Sequence, residues 1–249
     1  GSGMTTFTLP DSERQIDVYH YAPEGADAQT PTVFVLTGLR RNADEYRDAW
    51  IEAADQYNFT IVVPRFSPED YPGVAGYNLG NLTAEDGEEN PPEEWSFSVI
   101  DALYSDLQER GQTESKAQAT ICSAAGWWTL PDTDNEWPYG LANAPVELDK
   151  DEQRLLFAKK LLVTVGDGDT DPWHRYLRRS YQAMAQGNHR VERAWVYYKT
   201  AEQKANRFGL DFNWAFQTVP DTGHDNVKVA AFAAAQFDAF ERTGAFGVT

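Results

Sequence analysis

Two stretches of this sequence bring together residue types that move protons. Gly166-Asp167-Gly168-Asp169-Thr170-Asp171-Pro172 follows one apolar run, and Pro220-Asp221-Thr222-Gly223-His224-Asp225-Asn226 follows another. A carboxylate bonded to one ring nitrogen of a histidine fixes the tautomer and stabilises the imidazolium, which frees the other nitrogen to take a proton from a hydroxyl. His224 is the candidate base, because Gly223 beside it lets the backbone approach closely. His20, His174 and His189 compete for the role, but none ends a buried strand, and His224 could instead only cap the helix that follows it. Asp169 stands at the tip of its turn and is the candidate acid, with Asp167 and Asp171 as close alternatives. Three aspartates also suggest a metal, but no cluster of His or Glu accompanies them. A third stretch, Gly38-Leu39-Arg40-Arg41-Asn42, reads as a strand-to-helix turn whose free N–H groups suit an oxyanion.

These positions need elements to hold them. Residues 14–21 alternate at period two and predict a strand with one wet face. A continuous apolar run at 32–37 predicts a strand buried on both faces, and further strands are predicted at 59–64, 118–125, 160–166 and 212–219. Apolar residues recurring at three and four predict helices at about 42–57, with Asn42 as N-cap, at 96–110, capped at Ser96 or a residue beside it, at 190–208 and at about 226–242. Strands alternating with helices predict one α/β domain over 5–249 with a mostly parallel sheet. Open sheets of that class react at the C-terminal ends of their strands, which is where the three stretches fall. Gly-Ser-Gly-Met at 1–4 reads as a tag remnant.

Composition removes several classes. The chain has 249 residues with 21 basic and 39 acidic side chains, a net charge of −18, so it repels nucleic acid unless basic residues cluster. Only Arg40–Arg41 and Arg178–Arg179 cluster at all, and a polyanionic substrate would have to be reached by Arg40 and Arg41. No apolar run is long enough for a membrane span. The start shows no signal-peptide pattern, so a cytoplasmic location is expected unless a leader was removed. Cys122 is the single cysteine, which excludes an intrachain disulfide and a cysteine zinc site. Six acids within 84–94 read as a solvated loop, since they lack the spacing of a calcium loop.

Several of these segments resemble one family. Leu36 to Trp50 is similar to the oxyanion loop that follows a strand in α/β-hydrolases of the polyhydroxybutyrate-depolymerase-like esterase type. Ala125-Gly126-Trp127-Trp128-Thr129-Leu130-Pro131-Asp132, Gly166 to Pro172 and Val219 to Asn226 resemble the same family. The resemblance spans most of 14–242 and implies the α/β-hydrolase fold and a serine esterase with Asp169 as acid, His224 as base and the Leu39 N–H as an oxyanion donor. It implies no cofactor, and a small-molecule or oligomeric ester as substrate. Trp127, Trp128, Trp173 and Tyr77 are candidates for an aromatic pocket, with core packing as the alternative for each. Thr37-Gly38 stands where the family usually has His-Gly.

The nucleophile is where the resemblance breaks. No Gly-x-Ser-x-Gly elbow occurs anywhere in the chain. Between Arg110 and Gln118 lie seven residues, where the family has a strand, elbow and helix of roughly 25–30. The join falls near Glu114–Ser115. Ser123 is a poor substitute, because Ile121 two residues before it would crowd a tight elbow, and Cys122 reads as an inert strand thiol. Three outcomes follow: the unit belongs to the protein but is missing from this sequence, or it is deleted and strand 118–125 fills its place in a non-catalytic binding protein, or Ser123 is recruited. The first is the working expectation.

Overall fold

A computed structural model describes residues 1–10, 13–84, 87–114 and 118–247. The chain forms two compact units, Gly1–Ala117 and Gln118–Thr249. Ser115, at the expected join, lies outside the described residues, as do Glu85 and Asp86 of the acidic loop.

In the first unit, β1 (Ser2–Thr8), β2 (Gln15–Tyr21), β3 (Thr32–Phe34) and β4 (Thr60–Arg65) make one sheet in the order β1-β2-β4-β3. β1 and β2 are antiparallel, with Phe7 opposite Ile16, and β2 pairs antiparallel to β4. β3 runs parallel to β4, joined through α1 (Ala43–Tyr57). Ser2–Met4, part of the stretch that reads as a tag, pairs with Tyr19–Tyr21. α2 (Ser96–Glu109) buries Val99 and Leu103 in a core with Ile16, Val18, Val62, Phe66 and Tyr71. Its N-cap is Trp95, the residue beside Ser96, and the Ser96 hydroxyl donates to Tyr77 O. Asn42 occupies the N-cap of α1 without a side-chain capping bond.

In the second unit, β5 (Thr120–Ser123), β6 (Leu161–Gly166) and β7 (Trp214–Val219) are all parallel, in the order β5-β6-β7. Every residue of β6 is buried, as expected of a central strand covered on both faces. Between β5 and β6 lies α3 (Lys150–Ala158), which the periodicity does not predict. Its start is nonetheless written in the sequence: Asp149 accepts from the N–H of Glu152, and the Glu152 side chain accepts from the Asp149 N–H. After β6 come α4 (Tyr181–Ala185) and α5 (Arg190–Phe208), and α6 (Asn226–Thr243) follows β7. α5 turns Ala194, Ala201 and Ala205 inward, and these small side chains let it pack close to Val163, Val165 and Trp214. The strands are shorter than the apolar runs, with 32–37 reduced to Thr32–Phe34 and 118–125 to Thr120–Ser123. Each of these two strands has one paired neighbour in its sheet among the described residues.

Candidate active site

The loop after β6 and the loop after β7 are joined by their backbones. Asp167 N–H donates to Val219 O (3.1 Å), and Gly168 N–H donates to Thr222 O (2.9 Å). The Asp167 carboxylate accepts from Thr222 N–H at 3.1 Å, and backbone N–H bonds of this kind, Thr222's foremost, hold its carboxyl below the ordinary carboxylate range. Gly166 makes this approach possible: a Cβ there would stand 2.2 Å from Thr222 O and 2.5 Å from Gly223 O. Gly166→Ala must therefore push two backbone segments apart beside a fully buried strand. It is expected to cost about 2–3 kcal/mol, read as a shift in the urea midpoint at unchanged slope.

Closing these loops brings Asp169 to His224. Asp169 Oδ2 lies 2.9 Å from His224 Nδ1, with the carboxylate almost wholly buried and the imidazole about one third exposed at 34%. The other oxygen, Oδ1, accepts from Arg190 Nη1 at 3.1 Å. Burial works to raise the Asp169 carboxyl, but the His224 hydrogen bond and the Arg190 charge outweigh it, and the net shift is downward. An ionised carboxylate only accepts, so the His224 nitrogen facing it carries the proton and Nε2 keeps its lone pair. Asp171 faces elsewhere and caps Trp173 N–H at 2.8 Å. The three aspartates thus go to three different partners, and among the described residues no three of His, Cys, Asp and Glu converge to hold a metal ion.

His224 does not cap α6. Asp225 does, accepting from the N–H groups of Val227 and Lys228. The competing histidines fall in other settings: His20 lies in β2, and His189 is the N-cap of α5. His174 ends no strand, yet the fold places it against His224, ring centroids 4.9 Å apart and edge to face. Its Nδ1 faces Arg190 Nη2 at 3.3 Å and accepts from Tyr176 N–H at 3.4 Å. With donors on Nδ1, the ring's proton belongs on Nε2. Desolvation first, then Arg190 and His224, lower its pKa, so His174 is a poor base. Arg190 is the residue that sequence reasoning misses, a buried fork holding Asp169 on one prong and His174 on the other.

In the first unit, Leu39 is exposed in the turn after β3, and its N–H makes no hydrogen bond among the described residues. Arg41 braces that turn: its guanidinium donates to Phe66 O, Tyr71 O and Gly73 O and lies 4.0 Å over the Tyr77 ring. Arg40 pairs with Glu45. Arg41 is thus committed internally rather than free to reach a polyanion. Tyr77 is buried and donates to Thr37 O, and Trp128 is buried and stacked on Tyr197, so both are core residues. Trp127 packs on Tyr139, whereas Trp173 is 77% exposed. Ser123 ends β5 with its hydroxyl buried and without a partner, and burial pushes the neighbouring Cys122 thiol up to about 11, which leaves it inert at neutral pH.

No family model matches this chain, and no curated protein matches it by sequence. Solved structures do. Poly(aspartic acid) hydrolase-1 from Sphingomonas sp. KT-1 superposes with a TM-score of 0.87 at 29% identity, over 94% of this chain and 97% of that one. LpqC, a poly(3-hydroxybutyrate) depolymerase from Bordetella parapertussis, gives 0.87 at 27% identity, over 100% and 92%. An S-formylglutathione hydrolase from Agrobacterium tumefaciens shares the fold at 0.59 and 14%, over 99% and 95%. With parallel strands flanked by helices and these neighbours, the chain belongs to the α/β-hydrolase superfamily, where it is similar to hydrolases of the polyhydroxybutyrate-depolymerase and esterase type.

Proposed function

We propose that this protein is a carboxylic-ester hydrolase, a polyester-depolymerase-like serine esterase, with residues 5–249 as one hydrolase domain. The observation that carries the reading is the buried Asp169 bonded to a partly exposed His224 across two strand ends. His224 Nε2 takes the proton of a serine hydroxyl as the oxygen attacks the ester carbonyl, then gives it to the departing alcohol. Water repeats the cycle on the acyl-enzyme. Asp169 orients the ring and stabilises the imidazolium. The Leu39 N–H is one oxyanion donor, a role supplied by the family resemblance and supported by its lack of any other partner among the described residues. The serine comes from a strand–elbow–helix unit at the place that residues 111–117 occupy in this sequence. The neighbours' names, a polyester depolymerase and a hydrolase of a carboxylate-bearing polymer, support hydrolysis of an oligomeric substrate.

Intact mass before and after a fluorophosphonate tests this. The expected result is a chain heavier than 28.0 kDa by about one strand–helix unit, one adduct, and 4-nitrophenyl ester turnover that His224→Ala reduces about a thousandfold or more. A chain of 28.0 kDa with no adduct and no turnover overturns the reading and leaves a hydrolase-fold protein that binds a small hydrophobic ligand or a protein.

A further inference from the structure

The cationic groups of this acidic protein are not scattered evenly. Trp173-His174-Arg175-Tyr176-Leu177-Arg178-Arg179-Ser180-Tyr181 holds three arginines and no acid, in a chain with 39 acids. Seven other arginines, including Arg40, Arg47 and Arg242, lie within ion-pair distance of a carboxylate, whereas none of these three does among the described residues. Arg178 is spent on the fold, donating to Tyr139 OH. Arg175 and Arg179 are exposed, and aromatic faces hold them in place: Arg175 lies 4.5 Å over Tyr176, and Arg179 lies 5.8 Å from the Trp173 ring centre. Arg179 also donates to His174 O at 3.4 Å. Trp173 and Tyr176 are exposed at 77% and 43%, so this short segment presents two aromatic rings beside its two exposed arginines.

The segment's location supplies the meaning. His174, between Trp173 and Arg175, packs its ring on His224. The strip therefore borders the imidazole that would do the chemistry. In a chain of net charge −18, two exposed guanidinium groups with no carboxylate partner among the described residues are placed to orient an anion. Resting on the ester-hydrolase reading, we propose that Trp173, Arg175, Tyr176 and Arg179 form a carboxylate-binding subsite, and that the substrate is an aliphatic ester carrying a free carboxylate. The rings cover the aliphatic chain, and Arg175 and Arg179 take the carboxylate, for which a planar guanidinium is suited.

Binding and selectivity test this separately. Adipate is titrated against the protein by tryptophan fluorescence, with Trp173→Phe as the blank. A saturable change that depends on Trp173, weakens with salt and is lost in Arg175→Ala/Arg179→Ala supports the subsite; no such change overturns it. In turnover, the ratio of kcat/KM for mono(4-nitrophenyl) adipate over 4-nitrophenyl hexanoate is expected to fall about tenfold in the double variant through KM, and to stay unchanged in Arg207→Ala. An unchanged ratio in the double variant overturns the subsite and leaves the hydrolase reading intact. If neither ester is cleaved, the hydrolase reading fails, and the adipate titration alone decides the subsite.

Discussion

Replacing Arg190 by methionine is expected to destabilise the protein by about 3 kcal/mol at neutral pH, a fall of about 6–12 °C in Tm, because it strips a buried carboxylate of its nearest cation. The Arg190 and Asp169 side chains are each 2% exposed, so water cannot replace what the guanidinium supplies. His224 offsets part of the loss, since it remains bonded to the other oxygen. The pH dependence distinguishes this from simple loss of packing. In the wild type the Asp169 carboxyl is lowered, so its contribution is fully present above the ordinary carboxylate pKa and is lost as pH falls through the lowered value. Without Arg190, burial, the largest influence on this group, acts against the His224 bond alone and the carboxyl pKa rises. Protonation then removes the uncompensated charge, so the stability gap between variant and wild type narrows on acidification. Urea midpoints across pH 4 to 7 check this, and a gap independent of pH would show that Arg190 acts only by filling space. Arg190→Lys keeps the charge but not the fork, and should recover only part of the loss.

How much of this is legible in the sequence depends on which physical signal each residue carries. Long periodic segments are clear: α5 runs over Arg190–Phe208 as the spacing predicts, because its inward alanines recur at the helical period. β6 is clear because a strand buried on both faces writes an unbroken apolar run. α3 escapes for the opposite reason. Lys150-Asp151-Glu152-Gln153-Arg154 is nearly all charged, and only its first-turn capping box marks it. Among site residues, the meeting of Asp169 with His224 follows from their places at neighbouring strand ends, where the sheet class puts reactive groups. Arg190 carries no such mark. A cation in the first turn of a helix opposes the helix dipole, so local pattern argues against it, and only the burial of Asp169 explains it. His174 ends no strand and so gives no signal, yet the loop after β6 folds back and carries it to His224. The fold class is legible from the alternation of elements and stands on the structural neighbours. The nucleophile is not legible, because the sequence holds no small-residue elbow.

Asp169→Asn should reduce ester hydrolysis about 10⁴-fold in kcat with little change in KM, and the Arg190 fork is the reason the loss should be so complete. An amide has one accepting end and one donating end, whereas the carboxylate accepts at both. Arg190 Nη1 only donates and faces the Oδ1 position at 3.1 Å, so it holds the amide oxygen on its own side. The amide NH₂ must then face His224 Nδ1, where the wild-type carboxylate accepts at 2.9 Å. A donor there moves the ring proton to Nε2, the nitrogen that has to take the proton from the nucleophile. The Asp169→Asn variant thus keeps a well-folded site with the imidazole in the wrong tautomer. Two measurements separate this from general damage. ¹⁵N chemical shifts of the His224 ring should exchange the protonated nitrogen from Nδ1 in the wild type to Nε2 in the variant, with the remaining spectrum unchanged. Asp169→Asn combined with Arg190→Met releases the amide to rotate and present its oxygen to Nδ1, so the double variant should recover part of the lost kcat. A double variant no more active than Asp169→Asn, with its tautomer unchanged, would show that the fork does not set the orientation of the acid.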